Sequence, residues 1–381
     1  MRNFSKAFQN INGGFLGNIT LSKEQSQIII SAKSKIQEYL KKGIYEKIKE
    51  LENVAVEPRF MSQGSAVYKT RNKPCHIPPQ QIDHDLGCYL PLSIAKEISA
   101  IPKIASNVFF IVVDNLLGEL VKKESWVKID PTKKTCSRVI IDNETHIDIP
   151  LYAISDSEFT TIHERIEKSL AHEDFSLIKS KRMNSWRDID IKKVLLAHRE
   201  QDWIESDPRK LNVYFKKMFE YKGEQLRRIC RYLKAWRDYQ WNEGGPTSIY
   251  LMILANETID AEIDRDDIAL LNALRKIYDK LDDETYQVIN PTDKKEVINI
   301  SDTDRQRLKI LSKSFSEDLY KAINADTISD EEATKIIQKN LGLRFPKDVV
   351  PPTQPSIKDI VFSTPVSHEE ERKLATRTRA G

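Results

Sequence analysis

Residues 62–85 read SQGSAVYKTRNKPCHIPPQQIDHD, and the fold follows from how this stretch is parsed. Gly64-Ser65 makes a small turn. Asp83 and Asp85 follow it, one residue apart. Side chains at i and i+2 of a β-strand share a face, so a strand over Ile82–Leu90 sets two carboxylates side by side. They repel each other unless a cation lies between them. A glycine turn that frees backbone N–H groups at a helix start cradles phosphate. Together these features describe a site for a metal-bound nucleoside triphosphate.

Nucleotidyl transfer needs positioning and charge neutralisation more than covalent help from side chains. Two divalent ions roughly 3.5–4 Å apart supply the neutralisation. A third carboxylate on a neighbouring strand would complete their ligands, and Asp148 in THIDIPLY (residues 145–152) is the candidate. Ile147 and Ile149 turn to the core, so Asp148 turns to the site, where a bound cation offsets the cost of an unpaired carboxylate. A lone Asp-x-Asp is common on solvated strands, and a lone Gly-Ser says still less. The conjunction of turn, spacer, paired aspartates and a later apolar-flanked Asp is far more specific.

Working outward, Ser22 and Gln25 form a capping box. Ile28, Ile29, Ala32, Ile36, Leu40, Ile44 and Ile48 follow at helical spacing, which predicts a helix from Ser22 to Leu51. Ala55–Met61 reads as a strand entering the turn, and Ala66–Thr70 opens a short helix. Pro74, Pro78 and Pro79 make 71–81 a loop. A helix over Ala100–Lys122 would bury Ile104, Val108, Ile111, Val112, Leu116 and Leu120. Three β-like runs follow, Ser125–Asp130, Thr135–Asp142 and Thr145–Tyr152, the last two joined at Asn143-Glu144.

After about residue 155 the pattern is mostly helical. Gly223–Trp241 would bury Leu226, Ile229, Cys230, Leu233 and Trp236, and Gly244-Gly245-Pro246 stops it. Thr247 or Ser248 caps a helix over Ile249–Asn256. Asp304–Ile323 and Asp330–Asn340 read as further helices, the second behind a Ser329/Glu332 capping box. Five prolines between 346 and 365, then the run HEEERK, predict an extended tail that ends in Gly381.

With 381 residues the chain is long enough for two lobes or one large domain. The net charge of +3 excludes a global nucleic-acid-binding signature, so no stable nucleic-acid partner is expected. Cys75, Cys88, Cys136 and Cys230 lack CxxC spacing and read as free thiols of a reducing cytosol. The first ten residues lack an apolar signal core, and the longest apolar run, Val108–Val113, is too short for a bilayer. A cytoplasmic protein without a membrane partner is expected.

The Gly-Ser turn and the Asp-x-Asp strand resemble the polymerase-β-like nucleotidyltransferase superfamily. QGSAVYKT (63–70), PPQQIDHDLGCYLP (78–91) and HIDIPLYAI (146–154) look like the bacterial cyclic dinucleotide synthases, the CD-NTases related to animal cyclic GMP–AMP synthase. RYLKAWRDYQ (231–240) and GGPTSIYLMIL (244–254) are similar to the dinucleotide cyclase subfamily, which makes 3′,3′-cyclic GMP–AMP. The resemblance spans most of residues 20–345. It implies an α+β fold, with a polymerase-β-like nucleotidyltransferase lobe built on a small mixed sheet, plus a helical C-terminal lobe. The expected divisions are a nucleotidyltransferase core over 1–155 with a long spine helix, a helical lobe over 156–345 that closes the nucleotide cleft, and a flexible tail over 346–381.

The resemblance also implies an activity. A cyclic dinucleotide synthase joins two NTPs, here ATP and GTP, by two Mg²⁺-dependent transfers with pyrophosphate release, and its product serves antiphage (CBASS-type) signalling through a downstream effector. Two Mg²⁺ ions are implied, with Mn²⁺ as the substitute. Residue by residue, Asp83, Asp85 and Asp148 match the catalytic metal triad. Gln63, Gly64 and Ser65 match the donor-phosphate turn, and Tyr68 matches a base-stacking aromatic. Lys234 and Ser248 match triphosphate contacts. Asn290 and Asp293 in INPTD fall where a later base contact would, and Arg138 where a second nucleotide contact would. An E1/E2-like partner conjugating the chain through Gly381 is implied as well. The alternative is a nucleotidyltransferase acting on an RNA end or a protein hydroxyl; a catalytically dead binding module would be a further class, disfavoured by the three carboxylates.

His84 departs from the superfamily, where the residue between the aspartates is usually apolar. Strand alternation turns it to the opposite face, as a packed or hydrogen-bonded histidine. Arg227, Arg231 and Lys234 share a helical face by i, i+4, i+7 spacing, the two arginines in structural roles. Trp186, Trp203, Trp236 and Trp241 read as packing residues. Cys75-His76 reads as loop.

Overall fold

The opening stretch folds as strand, turn, helix, loop, strand. The computed structural model describes residues 1–52, 56–99, 101–160 and 193–347. In chain order its first helices are α1 (Ser5–Gln9), α2 (Phe15–Asn18) and α3 (Lys23–Glu52), followed by β1 (Arg59–Ser62), α4 (Gly64–Tyr68) and β2 (Ile82–Pro91). Next come α5 (Leu92–Ile98), α6 (Pro102–Glu124), β3 (Lys128–Asp130), β4 (Cys136–Ile140) and β5 (Thr145–Ile154). Short strands β6 (Leu195–Leu196) and β7 (Ile204–Glu205) precede the remaining helices. These are α7 (Pro208–Lys222), α8 (Glu224–Gln240), α9 (Ser248–Thr258), α10 (Asp266–Asp282), α11 (Asp302–Asn324) and α12 (Asp330–Leu341). Trp186, most of the expected tail and Gly381 lie outside the described residues.

The sheet runs β1-β2-β5-β4-β3, with β6 and β7 extending from β5. Only β2 and β5 pair in parallel; β1, β4 and β3 run antiparallel to their neighbours. The mixed sheet with a helical second half is the α+β architecture expected. Ser22 and Gln25 close the capping box ahead of α3, at 3.0 and 3.1 Å. Ile29, Ala32, Ile36, Leu40, Ile44 and Ile48 are buried, but Ile28 is exposed. In α6 the buried face is Ala105, Phe109, Phe110, Val113, Leu117 and Leu120, with Leu116 at its edge. Ile104 and Ile111, expected inside, face out. A helix apolar on most sides does not declare its face by periodicity; α3 and the sheet choose it. By length and composition α6 could cross a bilayer, yet half of its most apolar window is buried inside the protein.

The helical half is held by Trp236, Tyr232, Leu233 and their neighbours on α8, with α9, α10 and α11 packed around them. Trp203 and Trp241 are buried as expected. One expected division differs. Phe4, Phe8, Phe15 and Ile19, assigned to the first unit, lie in this helical core against Tyr232 and Phe345. Their apolar side chains find partners across the chain, a pairing that local periodicity does not encode.

Asp266 shows how that core uses a buried charge. It is fully buried and accepts from Arg228 at 2.7 and 2.8 Å, from the Tyr232 hydroxyl at 2.9 Å and from Gln225 Nε2 at 2.9 Å. Removing one member of such a set strands the others. Asp266→Ala is expected to lose about 3–5 kcal/mol of unfolding free energy in urea titration; a loss below about 1 kcal/mol would contradict this account.

Candidate active site

Strand β2 carries Asp83 and Asp85 on one face and His84 on the other, as alternation requires. Across the parallel pair, Asp83 sits beside His146 and Asp85 beside Asp148. Two strands thus set three carboxylates and one imidazole in a rectangle. Asp83, Asp85, Arg138 and His146 line a cleft of about 820 Å³, together with Gly64, Ser65 and Tyr68. Its far wall belongs to the helical half: Lys234 and Arg237 from α8, and Ser248 at the start of α9.

The turn is built against the carboxylates. Gly64 has φ +59°, and a Cβ there would lie 2.3 Å from Asp85 Oδ2. Helix α4 starts at Gly64, two residues earlier than expected, so the turn is itself the helix N-terminus. It ends at Lys69 in the left-handed region, φ 57°. Gln63 does not reach the cleft. Its side chain is buried, donating to the Tyr89 hydroxyl at 2.6 Å and accepting from Tyr152 at 3.2 Å. Gly87 leaves the room for it, since a Cβ there would fall 2.0 Å from Gln63 Nε2. The expectation that Gln63 contacts phosphate is corrected for its side chain: at the helix N-cap it turns inward, and Gly64 and Ser65 face the cleft.

Asp148 was expected to need a cation. Instead Arg138, opposite it on β4, donates to both its oxygens at 2.6 and 2.7 Å. Arg138 lines the cleft as expected, but it is engaged by a carboxylate. Asp85 has no such partner among the described residues. Burial, then the charges of Asp83 and Asp148, push its carboxyl up to about 8. Asp83 is held below its ordinary value: burial opposes this, but His146, Arg138 and Arg71 outweigh it. His146 Nε2 lies 3.0 Å from Asp83 Oδ1, and beyond this contact neither buried atom has a hydrogen-bond partner among the described residues. Orphaned donor atoms beside carboxylates suit a divalent cation, so the residues present fit the implied ion. Asp83, His146 and Asp148 are the group among the described residues whose ligand atoms converge, within 4.8 Å of one another.

His84 is buried, with Nδ1 on Arg71 and Nε2 3.4 Å from Ser62 Oγ. Burial and the nearby charges of Arg71 and Lys33 push its pKa down to about 4, so the ring is neutral and Nδ1 accepts from Arg71. It is the hydrogen-bonded histidine that alternation implied.

The basic stripe on α8 is not solvated. Arg227 donates to Tyr68 O at 3.1 Å, Arg231 to Asn72 Oδ1 at 2.9 Å, and Lys234 to Thr70 O at 2.8 Å. Three turns of one helix hold the loop that leaves α4. Tyr68 packs on Phe215 with ring centroids 5.1 Å apart and, though it lines the cleft, is buried. Burial pushes Lys234 down to about 8. Asp293 is not brought to the cleft. It is exposed in a turn where its Oδ1 accepts from Lys295 N, while Asn290 is buried against Glu296. Sequence reading missed Arg71 and His146. His146 could have been found, because it lies two residues before Asp148 and so shares its face.

Comparison with known proteins agrees with this geometry. Residues 58–152 match the family model for the cyclic GMP-AMP synthase DncV-like nucleotidyltransferase domain, and residues 223–352 match that for the cyclic GMP-AMP synthase C-terminal domain. The cyclic GMP-AMP synthase of Vibrio cholerae serotype O1 is 37% identical over 219 residues, covering 55% of this chain and 49% of the relative. One from Escherichia coli is 34% identical over 240 residues, covering 61% of this chain and 54% of the relative. The chain thus spans about half the length of these relatives. The fold is shared with Vibrio cholerae DncV in complex with a linear intermediate, 5′ pppA(3′,5′)pG: the TM-score is 0.74 at 24% identity, covering 92% of this chain and 99% of the other. DncV in complex with GTP and 5MTHFGLU2 gives 0.73 at 24% identity, covering 91% and 97%. With both halves of the cleft matched, one by each model, the chain belongs to the DncV-like family of nucleotidyltransferases.

Proposed function

We propose that the protein is a cyclic dinucleotide synthase that joins ATP and GTP into 3′,3′-cyclic GMP–AMP. The observation that carries this reading is the cleft itself. Carboxylates line one wall, and the Gly64-Ser65 helix start, Lys234 and Ser248 face them across about 820 Å³, a volume ordinary for a ligand site. The names of the relatives, cyclic GMP-AMP synthases, point to the same pair of nucleotides.

When bound, divalent ions would neutralise the triphosphate and lower the pKa of the attacking hydroxyl. Asp83, Asp85 and Asp148 would hold them. The Gly64 and Ser65 amides would bind the phosphates of the donor at the start of α4. The 3′-hydroxyl of one nucleotide attacks the α-phosphate of the other, pyrophosphate leaves, and a linear dinucleotide remains. After it reorients, its free 3′-hydroxyl attacks the remaining α-phosphate, which closes the ring and releases a second pyrophosphate. Arg138 would pass from Asp148 to phosphate oxygens, for which its planar fork is equally suited. Lys234 would supply a compact charge to the triphosphate.

The test is incubation with the four NTPs and Mg²⁺, followed by mass spectrometry of phosphatase-resistant products. A cyclic product from NTPs alone is expected. A requirement for an RNA end or a protein acceptor would replace this reading with the alternative. An antiphage messenger role in the cytoplasm, with conjugation through Gly381, belongs to the same proposal. Deleting Gly381 should then abolish covalent adducts in cells, and adducts that persist would remove conjugation from it.

Lys234 gives a pH prediction. Its folded pKa lies near 8, below the ordinary lysine value, so it is charged below that pH and neutral above it. KM for nucleotide should therefore rise as pH passes from 7 to 9, with kcat less affected. The Lys234→Gln variant should start at the higher KM and show a flatter profile. A wild-type KM that is constant over this range would remove Lys234 from phosphate binding.

A further inference from the structure

The face that carries the carboxylates also carries an imidazole to which no role has been given. His146 precedes Asp148 by two residues on β5 and neighbours Asp83 across the parallel pair. Its ring is buried. Nδ1 lies 3.2 Å from Gln81 Oε1. The Gln81 amide nitrogen donates to the carbonyls of Asp142 and Asn143 at 3.3 and 3.4 Å, and these can only accept. The amide is therefore fixed with its oxygen toward the imidazole, and Nδ1 must carry the proton. Nε2 is the ring nitrogen left without an aligned hydrogen-bond partner among the described residues. It points at Asp83 Oδ1, 3.0 Å away, with Asp148 Oδ1 at 4.0 Å.

A buried ring nitrogen and a carboxylate oxygen this close need a cation between them, either a second ring proton or a divalent ion. Nε2 and Asp83 Oδ1 are both buried, and beyond each other neither has a hydrogen-bond partner among the described residues. Their separation matches adjacent ligands of an octahedral ion, which sit about 3.0 Å apart when each metal–ligand distance is about 2.1 Å. Gln81 stands where an outer partner orients a ligating histidine.

We propose that His146 is a direct ligand, through Nε2, of a divalent ion shared with Asp83 and Asp148, that Gln81 positions it, and that this nitrogen donor favours a first-row transition ion such as Mn²⁺ over Mg²⁺. Mg²⁺ prefers all-oxygen sites, whereas imidazole suits the transition series. The inference rests on the same metal site as the proposed function but concerns the ligands alone.

The test is Mn²⁺ binding to the full chain, followed by pulsed electron paramagnetic resonance. Nitrogen hyperfine coupling to Mn²⁺ is expected in the wild type. It should vanish in His146→Ala, with a loss of Mn²⁺ affinity of about tenfold or more. Gln81→Leu, with every ligand intact, should keep the coupling but weaken affinity by about tenfold. His146→Asp makes the site all-oxygen and should shift the Mn²⁺/Mg²⁺ affinity ratio toward Mg²⁺, which guards against a variant that only fails to fold. Bound Mn²⁺ without nitrogen coupling, or undiminished affinity in a folded His146→Ala, overturns the proposal and reduces His146 to an ion-pair partner of Asp83. Dinucleotide synthesis without nitrogen coupling would sink this inference and leave the function standing; nitrogen coupling without synthesis would do the reverse.

Discussion

With Asp83 and Asp85 both replaced by alanine, the protein should make neither linear nor cyclic dinucleotide. A loss of at least about a thousandfold is expected, in line with the several kcal/mol that metal-held transition-state charge is worth. The same change should not unfold the protein. Asp85 is a half-buried carboxylate flanked by Asp83 and Asp148, and its pKa is displaced upward by burial and by those charges. Without metal, removing Asp85 relieves repulsion from its like-charged neighbours, which offsets the loss of Asp83, whose charge His146, Arg138 and Arg71 favour. Measured in chelator, the melting temperature of the double variant should lie within a few degrees of the wild type. Retained synthesis would end the metal mechanism. A collapse in melting temperature would show instead that these side chains hold the sheet together.

The second large effect should come from a single methyl group. Gly64→Ala puts a Cβ 2.3 Å from Asp85 Oδ2, at a φ of +59° that alanine disfavours. Either the turn or the carboxylate must move by about an ångström, and misplacement on that scale costs on the order of a hundredfold in rate. We expect kcat to fall by at least that factor in a protein that still binds Mn²⁺. Gly118→Ala is the control. Its Cβ would meet only Ile129 Cδ1, at 3.6 Å, inside α6. It should leave kcat unchanged and stabilise the helix by about 0.5–1 kcal/mol. Full activity in Gly64→Ala would mean that the tight approach of turn and carboxylate is not needed.

The sequence was informative where side-chain identity alone fixes geometry. Asp83 and Asp85 share a face because strands alternate, and Asp148 joins them because its isoleucine neighbours must go inward. It was less informative where a side chain had a choice of partners. Gln63 adjoins the phosphate turn, but spacing does not say that two buried tyrosines await its amide. Asp148 was read as a carboxylate lacking a partner because Arg138 lies ten residues away, across a hairpin whose register only the folded sheet fixes. Ile104 and Ile111 were placed inside because α6 has more apolar residues than one face can hold. Asp293 was drawn to the site by likeness of motif, while its own turn keeps it outside. His146 was legible by the same alternation that revealed Asp148, yet it went unread beside the carboxylates.

The packing of the first residues against the last helices bears on how the chain is made. Arg2 donates to Asp330 at 2.6 Å and to Ala325 O at 2.6 Å, its backbone N–H reaches Ile323 O at 2.7 Å, and Phe4 and Phe8 pack on Phe345. These contacts join residues more than 300 positions apart. At about 5–20 residues per second, the ribosome needs roughly 15 to 65 seconds to deliver the second half of each pair. Phe8 and Phe15 gain Tyr232 partway through that interval, but Phe4, Phe8 and Phe15 all wait to its end for Phe345. The helical lobe can close only as synthesis of its last helix is completed, and holdase chaperones should find a binding site around Phe4, Phe8 and Phe15 on the nascent chain.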